Sequence, residues 1–447
     1  MPSVAFYTLG CKVNFYDTEA IWQHFKKEGY EQVDFEEQTA DVYLINTCTV
    51  TNTGDKKSRQ IIRRAIRRNP DAVIAVTGCY AQTSPAEIMD IPGVDLVIGT
   101  QDRDKILPYV QQIQESRQPI NAVRNIMKTR VFEEMDVPDF ADRTRAFLKI
   151  QDGCNNFCTF CIIPWSRGLS RSRDSQSIIK QARQLVQAGY KEIVLTGIHT
   201  GGYGDDMENY DLSDLLWDLE KVDGLERIRI SSIEASQIDE KMLDVLNRSD
   251  KLVRHFHIPL QAGDDTVLKR MRRKYTTEEF YNKMLMIRKA MPDVAITTDV
   301  IVGFPGETDE MFRNGNELMK KIGFSEMHVF PYSKRSGTPA ARMEDQVDEE
   351  VKNARVHELI DLSEQMQLAY AQKFVGQVLE VIPEGQPKGS EGKGLLQGYS
   401  DNYIQMVFEG SKDMIGKVVR VKMTAAGVNE SKGQLVRVME AGLSAAL

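Results

Sequence analysis

Residues 150–173 read Ile-Gln-Asp-Gly-Cys-Asn-Asn-Phe-Cys-Thr-Phe-Cys-Ile-Ile-Pro-Trp-Ser-Arg-Gly-Leu-Ser-Arg-Ser-Arg. Three cysteines, Cys154, Cys158 and Cys161, stand here in a C-x3-C-x2-C spacing. Thiolates so close in sequence can reach one small metal centre unaided. They are soft ligands that suit iron–sulfur clusters, zinc or cuprous ion. Structural zinc closes its shell with four ligands, and no fourth stands nearby. A [4Fe–4S] cluster is usually held by four cysteines, so three would leave one iron open to an exogenous ligand. The alternative is a zinc knuckle completed by a distant histidine.

Downstream of this loop the chain alternates. Strands are expected at 147–151, 192–196, 227–231, 253–258, 295–302 and 326–330, with helices at 177–188, 212–221, 240–247, 277–290 and 309–320. Thr276 and Glu279 have the spacing of a capping box. Six such units predict a partial TIM-like (β/α)6 barrel over 146–373, closed by a long helix at 346–373. Function in such barrels sits on the loops after the strands, and the cysteine loop follows the first strand. After later strands come Thr196 and Gly197, then Ser231 and Glu234, then Gly303, Phe304 and Pro305. Each group alone is weak, since strand-end glycines usually mark turns; in register with the cysteine loop they form a candidate cofactor ring.

Upstream, residues 1–115 also alternate, with strands at 4–9, 42–46, 73–77 and 96–98 and helices at 18–28, 55–68 and 105–114. This predicts a flavodoxin-like parallel α/β domain. Cys11, Cys48 and Cys79 each lie just past the C-terminal end of a strand. Those ends share one edge of an open sheet, where ligands bind. Three remote thiols thus converge by topology, the alternative being three independently buried cysteines. The helix at 55–68 has a narrow apolar stripe, and Lys56, Lys57, Arg59, Arg63, Arg64, Arg67 and Arg68 cover the remainder. Phosphate contact and a solvated face are both open readings.

Residues 116–145 read as a polar linker containing Pro119 and Pro138. From 374 to 440, five short strands with glycine-rich turns predict an OB-like β-barrel. Its eight basic and eight acidic residues over 376–447 do not decide whether it binds RNA. The 447 residues suggest about three domains. A net charge of −8 offers no general support for nucleic acid, so RNA must meet a local patch. No membrane span or signal peptide is evident, and a cytoplasmic location with reduced thiols is expected. The six cysteines then read as two sets of three rather than disulfides. His255 and His257 share a strand face, with core or cleft packing favoured over a metal pair. Trp165 could stack on a base or pack within its loop.

An open iron can take the methionine end of S-adenosylmethionine, and one electron then breaks the sulfonium bond. The cysteine spacing, with Phe160 before the last thiol, resembles that of the radical S-adenosylmethionine enzymes. Over nearly its whole length the chain resembles their methylthiotransferase family. The motifs are Thr-Leu-Gly-Cys-Lys-Val-Asn (8–14), Asn-Thr-Cys (46–48), Gly-Cys-Tyr-Ala-Gln (78–82), the cysteine loop, Gly-Phe-Pro-Gly-Glu (303–307) and Tyr-Ser-Lys-Arg-Ser-Gly-Thr (332–338). The C-terminal barrel resembles a TRAM domain.

The resemblance implies two [4Fe–4S] clusters, one on Cys154, Cys158 and Cys161 and one on Cys11, Cys48 and Cys79. It also implies S-adenosylmethionine as methyl donor and radical source, an electron donor, and insertion of a methylthio group into a C–H bond. Gly-Cys-Lys-Val-Asn and Cys-Ile-Ile-Pro-Trp resemble most the subgroup acting at C2 of N6-threonylcarbamoyladenosine beside the tRNA anticodon. The isopentenyladenosine subgroup is the nearest rival, and a ribosomal-protein aspartate subgroup comes third. From another class, a non-catalytic RNA-binding protein with two structural zinc sites would use the same cysteines. The oligomeric state stays open.

Overall fold

Apolar runs build a six-stranded parallel sheet at the N-terminus. Its strands are β1 (Ser3–Thr8), β2 (Glu31–Gln32), β3 (Val42–Thr47), β4 (Val73–Gly78), β5 (Leu96–Val97) and β6 (Ile120–Asn121). They run in the order β2-β1-β3-β4-β5-β6. Every residue of β3 and β4 is buried, as central parallel strands with helices on both faces require. Val42 and Leu44 pack with Ile21 and Phe25 of α1 (Lys12–Lys27), while Tyr43 and Ile45 pack with Ile61 and Ile62 of α2 (Asn52–Arg68). The first five strands thus follow the flavodoxin-like order, whose switch point lies between β1 and β3. The computed structural model describes residues 1–140, 143–390, 392 and 394–439. Positions 141 and 142 of the expected linker and position 440 of the expected barrel segment lie outside the described residues.

One expectation shifts. The helix read at 18–28 begins at Lys12, directly after Cys11. Its added turn contains Asn14 and Asp17, polar residues that are nevertheless buried. Asn14 Nδ2 donates to the carbonyls of Leu9 and Thr47, at 2.6 and 3.1 Å. Tertiary partners rather than helix periodicity secure that turn.

The second layer set starts at β7 (Ala146–Lys149). Next, β8 (Gln151–Asp152) and β9 (Arg171–Ser172) pair antiparallel and clasp the cysteine loop between them. There follow β10 (Glu192–Thr196), β11 (Arg227–Ile230), β12 (His255–His257), β13 (Ala295–Val302) and β14 (Glu326–Pro331). They form two parallel three-stranded sheets, β11-β10-β7 and β12-β13-β14, joined by a parallel bridge between Ile228 and Leu252. This is the open six-stranded barrel. The fourth strand is shorter than read, three residues instead of six. The long helix Glu349–Gln372 closes the side, and its Ser363 hydroxyl accepts from the Met327 amide at 2.8 Å.

Five more strands, β15 (Val378–Gly385), β16 (Leu395–Ser400), β17 (Gln405–Glu409), β18 (Val419–Ala425) and β19 (Ser431–Val438), close a small barrel in the order β15-β16-β17-β19-β18. Alternate residues such as Leu379, Val381, Val419, Val421 and Met423 fill it. It docks on the larger barrel through Tyr403, whose ring stacks on His255 at 4.3 Å. Arg254 pairs with Asp401 and Arg145 with Glu384, both at 2.6 Å. Among the described residues, no helix is long and apolar enough to cross a membrane.

Candidate active site

The cysteine loop is held at both ends by backbone. Gly153 has φ +77°, and a Cβ there would stand 2.0 Å from the Leu169 carbonyl oxygen. Only glycine suits such a turn. The Cys154 amide donates to Gly168 O at 3.0 Å. Thr159 ties the middle of the loop to another segment, its hydroxyl donating to Arg270 O at 2.8 Å. Arg273 pairs with Glu234, and its Nη1 lies 3.5 Å from Cys158 Sγ. Phe160 packs edge-on against Phe304, which packs in turn on Tyr332.

The other three thiols meet at the sheet's switch point. Cys11 caps α1, Cys48 follows β3, and Cys79 opens the short helix α3 (Cys79–Thr83). Gly10, at φ +108°, lets the first turn approach the second: a Cβ there would lie 3.2 Å from Cys48 Sγ. Arg167, from the far end of the cysteine loop, crosses to this domain and donates from Nε to Cys79 Sγ at 3.3 Å.

A buried ion network joins the two halves. Arg167 meets Asp17 at 2.8 Å and Asp152 at 3.2 Å, and Lys149 meets the same two carboxylates at 2.8 and 2.7 Å. Arg103 pairs with Asp17 and, at 2.6 Å, with Glu133. Burial works against the charge on Asp17, but Arg103, Lys149 and Arg167 hold its pKa down to about 2. Asp152 is held well below the usual carboxylate range by Lys149, Arg167, Arg171 and Arg103, again against burial. The thiols go the other way. Burial, then neighbouring thiols, push Cys48 and Cys154 up to about 11 and Cys161 to about 12. Burial also raises Cys11, opposed by Arg167. Without a cation, these four thiols resist carrying charge; bound metal would reverse that, since a coordinating thiol is deprotonated outright.

Between the sheet edge and the barrel mouth lies a cavity of about 920 Å³, within the range of small-molecule sites. Gly10, Cys11, Lys12 and Val50 line one side, and Cys154, Cys158 and Cys161 the other. Thr196, Gly197, Ser231 and Glu234 also line it. Gly303, Phe304 and Pro305 do not: all three are buried, and Phe304 reaches the cavity only through Phe160. The wall also includes His199, Arg143, Phe147 and His328, which the sequence reading leaves out. For His199 a signal existed, its place after Gly197 at a barrel strand's end; its amide donates to Gln151 Oε1 at 2.9 Å.

The other residues singled out divide. His255 and His257 share hydrogen bonds with Thr297 Oγ1, at 3.1 and 3.0 Å, rather than facing a common ligand site. Trp165 is 49% exposed and meets Phe157 edge-on. On α2, Lys56, Lys57, Arg63 and Arg67 are exposed and make no ion pair among the described residues, whereas Arg64 pairs with Glu36 and Arg68 reaches Gln38 O. Among the described residues, no three His, Cys, Asp or Glu side chains surround a point that one metal ion could occupy. A cubane asks for something wider than a zinc site with its bonds of about 2.3 Å, because its three thiolates bind three different irons.

Three thiols on one loop at the mouth of an open (β/α) barrel, facing a nucleoside-sized cavity, define the class of radical S-adenosylmethionine enzymes. Comparison agrees: residues 148–318 match the radical SAM superfamily, and residues 3–99 match a family described as uncharacterized protein family UPF0004. The chain is 66% identical over 441 residues to the threonylcarbamoyladenosine tRNA methylthiotransferase MtaB of Bacillus subtilis, covering 98% of each chain. It is 41% identical to the protein of that name from Aquifex aeolicus, over 94% of this chain and 99% of that one. It is 37% identical to the tRNA-2-methylthio-N(6)-dimethylallyladenosine synthase of Carboxydothermus hydrogenoformans, over 96% and 98%. Among solved structures, the radical S-adenosylmethionine methyltransferase TsrM of Kitasatospora setae shares the fold, with TM-score 0.57 and 15% identity over 89% of this chain and 81% of that one. The chain belongs to the radical S-adenosylmethionine methylthiotransferase family. It is therefore an enzyme that uses S-adenosylmethionine and a [4Fe–4S] cluster.

Proposed function

We propose that the enzyme inserts a methylthio group at C2 of N6-threonylcarbamoyladenosine beside the anticodon of tRNA, in the cytoplasm, using electrons from an external donor. Cys154, Cys158 and Cys161 hold the radical-generating cluster, and Cys11, Cys48 and Cys79 hold a second [4Fe–4S] cluster that carries the sulfur. The carrying observation is that Cys11 and the cysteine loop face each other across one cavity. The relatives at 66 and 41% identity bear the substrate's name. When bound, the first cluster supplies the electron that cleaves S-adenosylmethionine to a 5′-deoxyadenosyl radical.

The chain's own groups orient and enclose. Thr196, Gly197, Ser231 and Glu234 present polar groups and open backbone to the cofactor's methionine and ribose. Arg273, balanced by Glu234, stands beside Cys158. The free cations of α2 lead away from the cavity: the helix starts just past Val50 and spans about 25 Å. They suit the phosphates of an RNA whose base is turned into the site.

Nucleoside mass analysis tests the substrate. Transfer RNA from cells lacking this gene should retain threonylcarbamoyladenosine and lose its 2-methylthio form. Loss of the methylthio form of isopentenyladenosine instead would overturn the assignment. Replacing Cys11, Cys48 and Cys79 together by Ala should spare 5′-deoxyadenosine formation and abolish methylthio product, with iron falling from about eight to about four per chain. Product at wild-type yield would remove the sulfur-carrying role, and stoichiometric zinc without acid-labile sulfide would favour a structural site.

A further inference from the structure

The cavity wall at the start of α1 carries two cations that form no ion pair among the described residues. Lys12 lines the cavity, is exposed to it, and makes no ion pair or hydrogen bond among the described residues. Arg143 lines the same cavity, is also exposed, and its side chain has no carboxylate partner among them. Its guanidinium lies over the Phe15 ring at 5.1 Å and the Phe147 ring at 5.0 Å. Lys12 and Phe15 are three apart on one helix and share a face. Resting on Phe15 therefore brings Arg143 to the cavity wall that Lys12 also lines, although 131 positions separate them in sequence.

Nearby acids are already committed. Glu192 pairs with Arg229 at 2.6 Å and stands 3.7 Å from both Arg145 and Arg227. Glu384 pairs with Arg145 at 2.6 Å. Across the cavity Glu234 is taken by Arg273. Two like charges on one cavity wall, neither in an ion pair among the described residues, are relieved when an anion joins them. Arg143, whose guanidinium lies over two aromatic rings, carries five N–H donors in a planar fork that matches a carboxylate.

We propose that Lys12 and Arg143 together receive the carboxylate of the substrate's threonyl group. This rests on the threonylcarbamoyladenosine reading above and deepens it to the substrate contact. Other anions come from other directions. The carboxylate of S-adenosylmethionine belongs at the cysteine loop, on the wall of Arg273, and backbone phosphates stay outside when a base is turned in. The threonyl carboxylate alone travels with the base into the cavity. An apolar isopentenyl substituent would leave both cations unanswered, so this pair selects between the two tRNA substrates.

The test uses the full-length, cluster-loaded enzyme and two anticodon stem-loop RNAs, one with threonylcarbamoyladenosine and one with its uncharged carboxamide. Wild type should bind the acid at least tenfold more tightly than the amide and show the same ratio in KM. Lys12→Met and Arg143→Met should bind the acid about as weakly as wild type binds the amide, while their affinity for the amide is unchanged. Lys12→Arg should restore the preference. Iron content and far-UV spectra confirm folding, and the wild-type contrast stands without any variant. No acid–amide difference in wild type overturns the inference, as does an equal loss on both RNAs, which would mark phosphate contact or a role at the sulfur site. No methylthio product from the acid stem-loop overturns the parent reading and this one with it; product without the contrast overturns this one alone.

Discussion

Arg167 reaches from the barrel's cysteine loop into the N-terminal sheet, and its guanidinium spans Cys79 Sγ, Asn14, Asp17 and Asp152. It is fully buried, as are both carboxylates. Removing one partner of a buried ion pair leaves an unpaired charge and costs about 3–5 kcal/mol. Arg167→Leu should destabilise the apo-protein by about that much, read as a lowered denaturation midpoint. Arg167→Lys should fall between, since an ammonium cannot serve four acceptors with a planar fork. A midpoint unchanged in Arg167→Leu would mean that Lys149 and Arg103 alone satisfy the carboxylates. In the sequence the cysteines were legible because their spacing and strand-end positions are local patterns. Arg167 and Asp17, 150 residues apart, carry no such pattern: the same letters on a surface would read as ordinary solvated charges.

At the scale of elements, α2 and the cysteine loop carry separate tasks. The amphipathic pattern of 55–68 was readable because Ile61, Ile62 and Ala65 repeat at helical spacing, and these are buried. Which of its cations stay free was not readable, because Glu36, the partner of Arg64, comes from another segment. Each phosphate contact contributes roughly −0.7 to −0.9 to the slope of log K against log salt. Changing Lys56, Lys57, Arg63 and Arg67 together to Ala should weaken tRNA binding and flatten that slope by about three, measured by filter binding over a salt series. An unaltered slope would return this face to plain solvation. The loop answers to a different substitution. Gly153→Ala sets a side chain against the Leu169 carbonyl at a positive φ, so the variant should lose iron from the radical site and 5′-deoxyadenosine formation together. Iron retained with wild-type deoxyadenosine yield would show that the turn can relax.

Across the whole molecule, buried polar contacts hold three bodies together, and they respond to acid at different pH. The succession of a parallel α/β sheet, an open barrel and a small β-barrel was legible from strand and helix periodicity. How the small barrel docks was not, because docking hangs on Tyr403 in a left-handed turn at φ 64°, stacked between Tyr399 and His255. Asp17, in the network between sheet and barrel, has its pKa lowered to about 2. Its contribution is complete above the unfolded carboxylate value of about 4 and fades only as pH falls toward 2, so the central cleft should ignore mild acid. His255 behaves differently. Burial first, then Arg229, His257, Lys12 and Arg145, hold its pKa well below the ordinary value. A histidine kept neutral in the folded state contributes fully above its unfolded pKa of about 6.5, and that contribution shrinks as pH drops below it. The small barrel should therefore loosen between pH 7 and 5.5 while the cleft stays closed. Hydrogen exchange at fixed pH steps checks this: corrected protection of residues 399–405 should fall over that interval, and protection of 146–152 should not. His255→Phe keeps a ring against Tyr403 without a titrating nitrogen, so it should abolish the pH dependence at 399–405. If the segment loosens equally in that variant, another group drives the change and the stack is not the acid-sensitive joint.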